Sequence, residues 1–175
     1  MKKGKPTLAI IIPCYNEEET LPLAFEKLNK LLENLVTQQI ISQKSFLFFV
    51  DDGSKDKTWE MIHSANFVNH SIRGLKLSTN AGHQNALLAG MSSVCEEIDC
   101  IISIDADLQD DIYAIPKMLE FFREGNDIVY GVRSDRKTDS FFKRKTAEWF
   151  YSLAGKIGIE IKPNHADFRL MSRRA

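Results

Sequence analysis

The sequence predicts an α/β fold, a mostly parallel sheet with helices on both faces. Three observations lead there. Short apolar runs without polar alternation recur along the chain, as expected of strands buried on both sides. Amphipathic stretches of helical period lie between them, so each crossover from strand to strand carries a helix. Four of the strand-like runs end in loops dense in Asp, Asn, Gly and His, at the sheet edge where open α/β proteins bind ligands.

In order, residues 8–13 read as a buried strand. Residues 20–36 read as a helix with Leu21, Ala24, Phe25, Leu28, Leu31, Leu32 and Leu35 on one face and Thr20 as N-cap. A second strand at 45–50 ends in Asp51-Asp52-Gly53-Ser54. A helix at 57–68, a strand at 72–77, a helix at 82–94, a strand at 99–104, a helix at 113–124 and a fifth strand at 127–132 follow. After Arg133 the pattern changes to a polar segment, a helix at 141–157 and a loop through Pro163. A last strand at 168–171 has no later strand to pair with, which points to a truncated domain.

A chain of 175 residues with 43% hydrophobic and 27% charged residues suits one soluble globular domain. Its net charge of −1 gives no general attraction to nucleic acid or to anionic membranes. The charge is nevertheless uneven: Arg133, Arg136, Lys137, Lys143, Arg144 and Lys145 face only Asp135 and Asp139 in that stretch. Cys14, Cys95 and Cys100 lack zinc-ligand spacing and fit free thiols in a reducing cytoplasm. The basic start and the apolar residues 8–12 are too short for a signal peptide. No uncharged apolar stretch approaches the ~20 residues that span a bilayer.

The densest chemistry lies in Asp105-Ala106-Asp107-Leu108-Gln109-Asp110, directly after the apolar run 100–104. Hard oxygen donors at a strand's carboxyl end suit Mg²⁺ or Mn²⁺ held against a diphosphate, although Asp also serves as a helix cap. Three further strand-end loops join it: Pro13-Cys14-Tyr15-Asn16-Glu17, Asp51-Asp52-Gly53-Ser54-Lys55-Asp56 and the run from Ser78 to Ala86. Turn chemistry explains each one singly. Four polar loops on one sheet edge suggest a site.

In these motifs the chain resembles glycosyltransferase family 2, with its Rossmann-like, nucleotide-binding GT-A fold, over residues 8–173. Pro-x-Tyr-Asn-Glu at 13–17, Asp-Asp-Gly-Ser at 51–54, Asn-x-Gly-His-Gln at 80–84 and the Asp105 cluster carry the resemblance. It is nearest the polyprenyl-phosphate branch, which includes dolichol-phosphate mannose synthases and bactoprenol glucosyltransferases. Ser134-Asp135-Arg136, residues 143–151 and residues 167–173 match that last group best.

The resemblance implies a hexose transferred from a nucleotide sugar, such as UDP-glucose, to a polyprenyl phosphate such as undecaprenyl phosphate, for cell-envelope glycans. It implies nucleotide contacts from Pro13, Tyr15, Glu17, Asp51, Asp52 and Asp105. Asp52 is favoured over Asp51 for a base N–H. Asp107 and Gln109 would hold the Mg²⁺ or Mn²⁺. Arg133, Arg136 and Arg144 would bind the acceptor phosphate, and Asp167 would act as base or orient Arg169 or the sugar. The parent protein is expected at the cytoplasmic face of the inner membrane, contacting the membrane surface through segments missing from this chain.

The domain is then expected to divide into a nucleotide-sugar core at 5–133 and an incomplete acceptor-side segment at 134–175, loosely ordered over 136–164. Such a fragment should bind nucleotide and transfer sugar poorly. Two alternatives stay open: a family 2 enzyme acting on a soluble saccharide or polymer, and a nucleotide-binding module without transfer activity.

Overall fold

The computed structural model describes residues 4–131 and 168–175. Its elements are β1 (Leu8–Cys14), α1 (Leu21–Thr37), β2 (Phe46–Asp51), α2 (Thr58–Val68), β3 (Ile72–Lys76), α3 (His83–Val94), β4 (Cys100–Ser103), a short 3-10 turn (Ile112–Ala114), α4 (Ile115–Arg123), β5 (Ile128–Tyr130) and β6 (Arg169–Ser172). The strands form a sheet in the order β3-β2-β1-β4-β6-β5. The first four are mutually parallel, and β6 runs antiparallel between β4 and β5.

Every residue of β1, β2 and β4 is buried, which is why these runs carry no polar alternation. On one face Phe25 of α1 meets Phe49 edge-on at 4.9 Å, and Ile62 and Trp59 of α2 lie against Gly74. On the other face α3 buries Ala86, Leu87 and Val94 against Ala9, Ile11, Phe48, Val50 and Ile101. Each buried Leu, Ile or Phe adds roughly 1.5–3 kcal/mol over leaving it exposed, so the sheet is a firm base for the loops at its edge.

Two expectations need correction. The last strand does not lack neighbours: Cys100 pairs with Ser172 on one side and Ile128 with Met171 on the other. An antiparallel partner need not follow in sequence, and this one returns to the sheet after residue 167, where Phe168 accepts a bond from the Gly131 N–H at 2.9 Å. Thr20 stands at the N-cap of α1 without capping it; its hydroxyl donates instead to Glu17 Oε2 at 2.6 Å. The chain divides into Met1–Gly131 with Asp167–Ala175 as one unit and Val132–Ala166 as another. The second unit, with the expected helix at 141–157 and the expected looseness of 136–164, lies outside the described residues. Among the described residues no helix is long and apolar enough to cross a membrane.

Candidate functional site

Parallel strands β1, β2, β3 and β4 send their carboxyl ends to one edge, and there a cleft of about 390 Å³ opens. Pro13, Tyr15 and Glu17 line it from the β1 loop, and Asp52 from the β2 loop. Asn80, Gly82 and His83 come from the β3 loop, and Asp105 and Asp107 from the β4 loop. Burial of the strands fixes where each loop starts; side-chain hydrogen bonds fix where the first three go.

The β1 and β2 loops are stitched together reciprocally. Asn16 N–H donates to Ser54 Oγ at 2.9 Å, and Lys55 N–H returns a bond to Asn16 Oδ1 at 2.9 Å. Glu17 N–H donates to Thr58 Oγ1 at 2.8 Å and Glu18 N–H to Asp56 Oδ2 at 3.1 Å; Lys57 N–H donates to Glu18 Oε2 at 3.0 Å. Asp52 ties in the third loop, with Oδ1 accepting from Ala81 N–H at 2.7 Å and Oδ2 from Gly82 N–H at 2.9 Å. Gly53 sits at this junction with φ +70, and a Cβ there would stand 2.6 Å from Asn80 N and Thr79 C. Only glycine meets both demands.

Beneath the cleft Asp51 is fully buried; its Oδ1 accepts from Ser54 N–H at 3.0 Å, and Oδ2 has no hydrogen-bond partner among the described residues. Cys14 lines the cleft floor, where burial and the carboxylates of Glu17, Asp51 and Asp56 push its thiol far above the ordinary range. It remains a neutral thiol, not a nucleophile.

The β4 loop is built differently. Leu108 N–H bonds Asp105 C=O at 3.2 Å and Gln109 N–H bonds Asp107 Oδ1 at 3.1 Å, closing the turn on itself. Leu108 takes φ 50, a left-handed conformation unusual for a leucine, at the centre of the acidic turn. Asp107 and Gln109 are exposed, whereas Asp105 is half-exposed with Oδ1 3.7 Å from His83 Nε2. Among the described residues no three His, Cys, Asp or Glu side chains could hold a metal by themselves. The donor set still fits a hard cation: a carboxylate and an amide oxygen at an open cleft leave positions for phosphate oxygens and water.

The structure therefore gathers Pro13, Tyr15, Glu17, Asp52, Asp105 and Asp107 around one cleft. Asp51 lies below its lining, and Gln109 touches Asp107 through its backbone. Arg133, Arg136, Arg144 and Asp167 lie outside the described residues. Sequence reasoning placed Asn80, Gly82 and His83 in the Asn-x-Gly-His-Gln motif of the third strand-end loop but gave them no role, although a polar loop at the amino end of a helix was a signal for one. The stitches from Ser54, Asp56 and Thr58 carry no sequence mark beyond ordinary turn composition.

A family model described as glycosyl transferase family 2 matches residues 9–175. Among curated relatives, an uncharacterized glycosyltransferase of Bacillus subtilis, YkoT, is 50% identical over all of this chain, which covers 52% of that protein. A prophage bactoprenol glucosyl transferase homolog of Escherichia coli is 39% identical over 95% of this chain and 52% of its own length. The chain thus spans about half the length of these relatives. Among solved structures, glucosyl-3-phosphoglycerate synthase from Mycobacterium tuberculosis in complex with UDP superposes with a TM-score of 0.65 at 17% identity, covering 97% of this chain and 57% of that one. A Pyrobaculum calidifontis mannosyltransferase in complex with GDP-Man and Mn²⁺ gives 0.58 at 20% identity, over 77% of this chain and 38% of that one. These two likenesses bear on the fold, which they share with this sheet.

Proposed function

This chain belongs to glycosyltransferase family 2, and from that premise we propose that it transfers a hexose from a nucleotide sugar to a polyprenyl phosphate. The carrying observation is that six residues from three loops, Pro13, Tyr15, Glu17, Asp52, Asp105 and Asp107, meet around one cleft. The bactoprenol glucosyl transferase names of relatives that match 95% of the chain support the acceptor class.

In this reading Tyr15, 41% exposed, offers its ring to the base. Asp52 keeps lone pairs beyond those taken by Ala81 and Gly82, since a carboxylate accepts about four hydrogen bonds. It can therefore hold a uracil or guanine N–H while stapling the loop. Asp51 stiffens the floor beneath, and Glu17 and Asp105 reach the ribose and diphosphate. The amino end of α3 opens on the cleft at Gly82 and His83, where its dipole favours a diphosphate.

Asp107 and Gln109 would hold a Mg²⁺ or Mn²⁺, which when bound neutralises charge on the diphosphate leaving group. An acceptor phosphate is already anionic at neutral pH, so it needs positioning more than deprotonation. Arg133, Arg136 and Arg144 would position it, with Asp167 as base or orienting group. In the whole protein this chemistry would take place at the cytoplasmic membrane face and feed cell-envelope glycans.

The test supplies UDP-glucose, Mn²⁺ and a short polyprenyl phosphate in detergent to this chain and to one extended to its relatives' length. A product with the mass of the prenyl phosphate plus one hexose is expected, more from the longer chain. Transfer to a soluble saccharide instead would select the other enzyme reading. Nucleotide binding with no transfer by either chain would leave a binding module.

A further inference from the structure

β3 ends the sheet, so among the described residues one of its sides faces no other strand. The register with β2 fixes which groups lie on that side. Leu47 N–H donates to Ser71 C=O and Leu77 N–H to Asp51 C=O, so the backbone groups of Arg73 and Leu75 turn toward β2. Those of Ile72, Gly74 and Lys76 turn outward. At Ile72 they are taken: its N–H donates to Asn69 C=O at 2.9 Å, and its C=O accepts from Asn66 Nδ2 at 2.6 Å. At Gly74 and Lys76, both exposed, they have no hydrogen-bond partner among the described residues. Two donors and two acceptors stand open on this short stretch of edge.

Proteins blunt such edges with lysine, proline, bulges or a covering segment. Lys76 is one such device, but its ammonium lies back over the Trp59 ring at 5.6 Å. α2 flanks the open stretch. Trp59 approaches Gly74, where an added Cβ would stand 3.3 Å from its ring, and the exposed His63 follows one turn on, with ring centroids 6.0 Å apart. Asn66, on the same side of the helix, reaches the outward C=O of Ile72, so this side of α2 overhangs the edge. Open backbone groups beside an aromatic shelf are what strand addition uses.

The open stretch is its own complement. With a second β3 laid antiparallel and Leu75 opposite Leu75, Gly74 faces the partner's Lys76, and each such pair exchanges two hydrogen bonds. Those bonds use every open donor and acceptor, and the closed Ile72 ends the ladder on both sides. Gly74 has no side chain to obstruct the facing lysine. The strand's other cation, Arg73, is already matched by Glu97 at 2.8 Å. α2 touches β2 as well as β3, so its axis lies inboard of the edge. Across one strand spacing, the two copies of α2 then stand about 8–10 Å apart, the distance of packed helices.

We infer that the β3 edge is a dimerisation surface, at which two copies of this chain join their sheets through Gly74 and Lys76, with Trp59 and His63 facing across the two-fold axis. The contact is isologous and closes at two copies. Its axis stands perpendicular to the sheet, so both copies turn the same helical layer to the same side while their clefts point to opposite ends.

Sedimentation of the whole chain over about 1–200 μM should show a monomer–dimer equilibrium. Lys76→Pro removes an N–H that β2 does not use, a change edge strands tolerate. It should raise the dimer Kd on the order of 30-fold, since it deletes two of the shared bonds. Lys76→Ala keeps the N–H and should stay within about threefold of wild type. A monomer at every concentration overturns the inference. So does a dimer indifferent to Lys76→Pro, or one that Lys76→Ala weakens as much, which would assign the contact to the ammonium. If Lys76→Pro does not melt cooperatively, amide exchange in the wild type carries the test. The Gly74 and Lys76 amides should slow as concentration rises, while those of Arg73 and Leu75, bonded to β2, should not change. Exchange independent of concentration overturns the dimer. Slow exchange at Gly74 and Lys76 in a chain that sediments as a monomer hands the edge to another segment and overturns it too.

Discussion

The β1, β2 and β3 loops are joined across long sequence separations by Asn16–Ser54, Glu18–Asp56 and Asp52–Gly82 hydrogen bonds, whereas the Asp105–Gln109 turn carries two hydrogen bonds within itself and meets the β3 loop where Asp105 approaches His83. The first region spends its polar groups on fixing shape. Networks with satisfied partners are stiff, so this wall of the cleft is held in shape by the protein itself. The acidic turn leaves the side chains of Asp107 and Gln109 exposed and holds a leucine in a left-handed conformation. One half of the cleft is therefore cross-linked by hydrogen bonds between loops, and the other presents two exposed polar side chains on a tight turn.

Four substitutions should separate the halves, from the largest loss of stability to none. Gly53→Ala puts a Cβ onto the Thr79–Asn80 backbone at a positive φ and should cost about 2–3 kcal/mol in chemical denaturation, with nucleotide binding weakened alongside. A cost under about 0.5 kcal/mol would mean that the two loops part easily.

Asp52→Asn keeps an oxygen for one of the Ala81 and Gly82 N–H groups and turns an NH₂ against the other. A loss of about 1–3 kcal/mol is expected. If Asp52 also holds the base, uracil and guanine nucleotides should weaken far more than adenine nucleotides; uniform weakening would leave it a staple alone.

Asp56 offers a smaller, pH-dependent probe. Burial works to raise its carboxyl pKa, but hydrogen bonds from the Thr58 hydroxyl and from the Thr58 and Glu18 N–H groups hold it below the ordinary range. A lowered folded pKa means stabilisation that is present above about pH 4 and is lost as pH falls through the folded value. Asp56→Asn should therefore flatten the stability slope below about pH 4 and leave it unchanged near neutrality. An unaltered acid slope would show that the stitch to Glu18 is not coupled to folding.

At the far end, Asp107→Ala should change stability by less than about 0.5 kcal/mol, as at other exposed positions. It should nonetheless abolish Mn²⁺-dependent UDP binding by calorimetry. Equal UDP affinity with Mn²⁺ in both proteins would remove Asp107 from the site, and an unfolded variant would erase the contrast between the halves.

The legible part of this molecule follows from local rules. Uninterrupted apolar runs at residues 8–13 and 45–50 announce strands buried on both faces, and the leucine spacing of residues 20–36 announces α1. The strand-end position of Asp105 and Asp107 follows from the run before them, so the acidic edge could be read without a structure. Arg169 could not: its sequence neighbours place it in a strand at the chain's end, and nothing local says that the strand slots between β4 and β5. Asp52 was legible as a candidate ligand for the base but not as a staple, because its partners lie about thirty residues on, at Ala81 and Gly82.

By itself, the sequence determined the α/β class, the order of strands and helices, and which loops carry acid, amide and glycine, since periodicity and turn chemistry act over a few residues. Tertiary structure alone decided that β6 is interior to the sheet, that Asp51 is buried while Asp52 lines the cleft, and that Arg169 pairs with Ser103 at the end of β4. Those outcomes depend on strand register and on hydrogen bonds between segments 29 to 41 residues apart. Such pairings are selected by the packing of the whole sheet, which no local window of sequence contains.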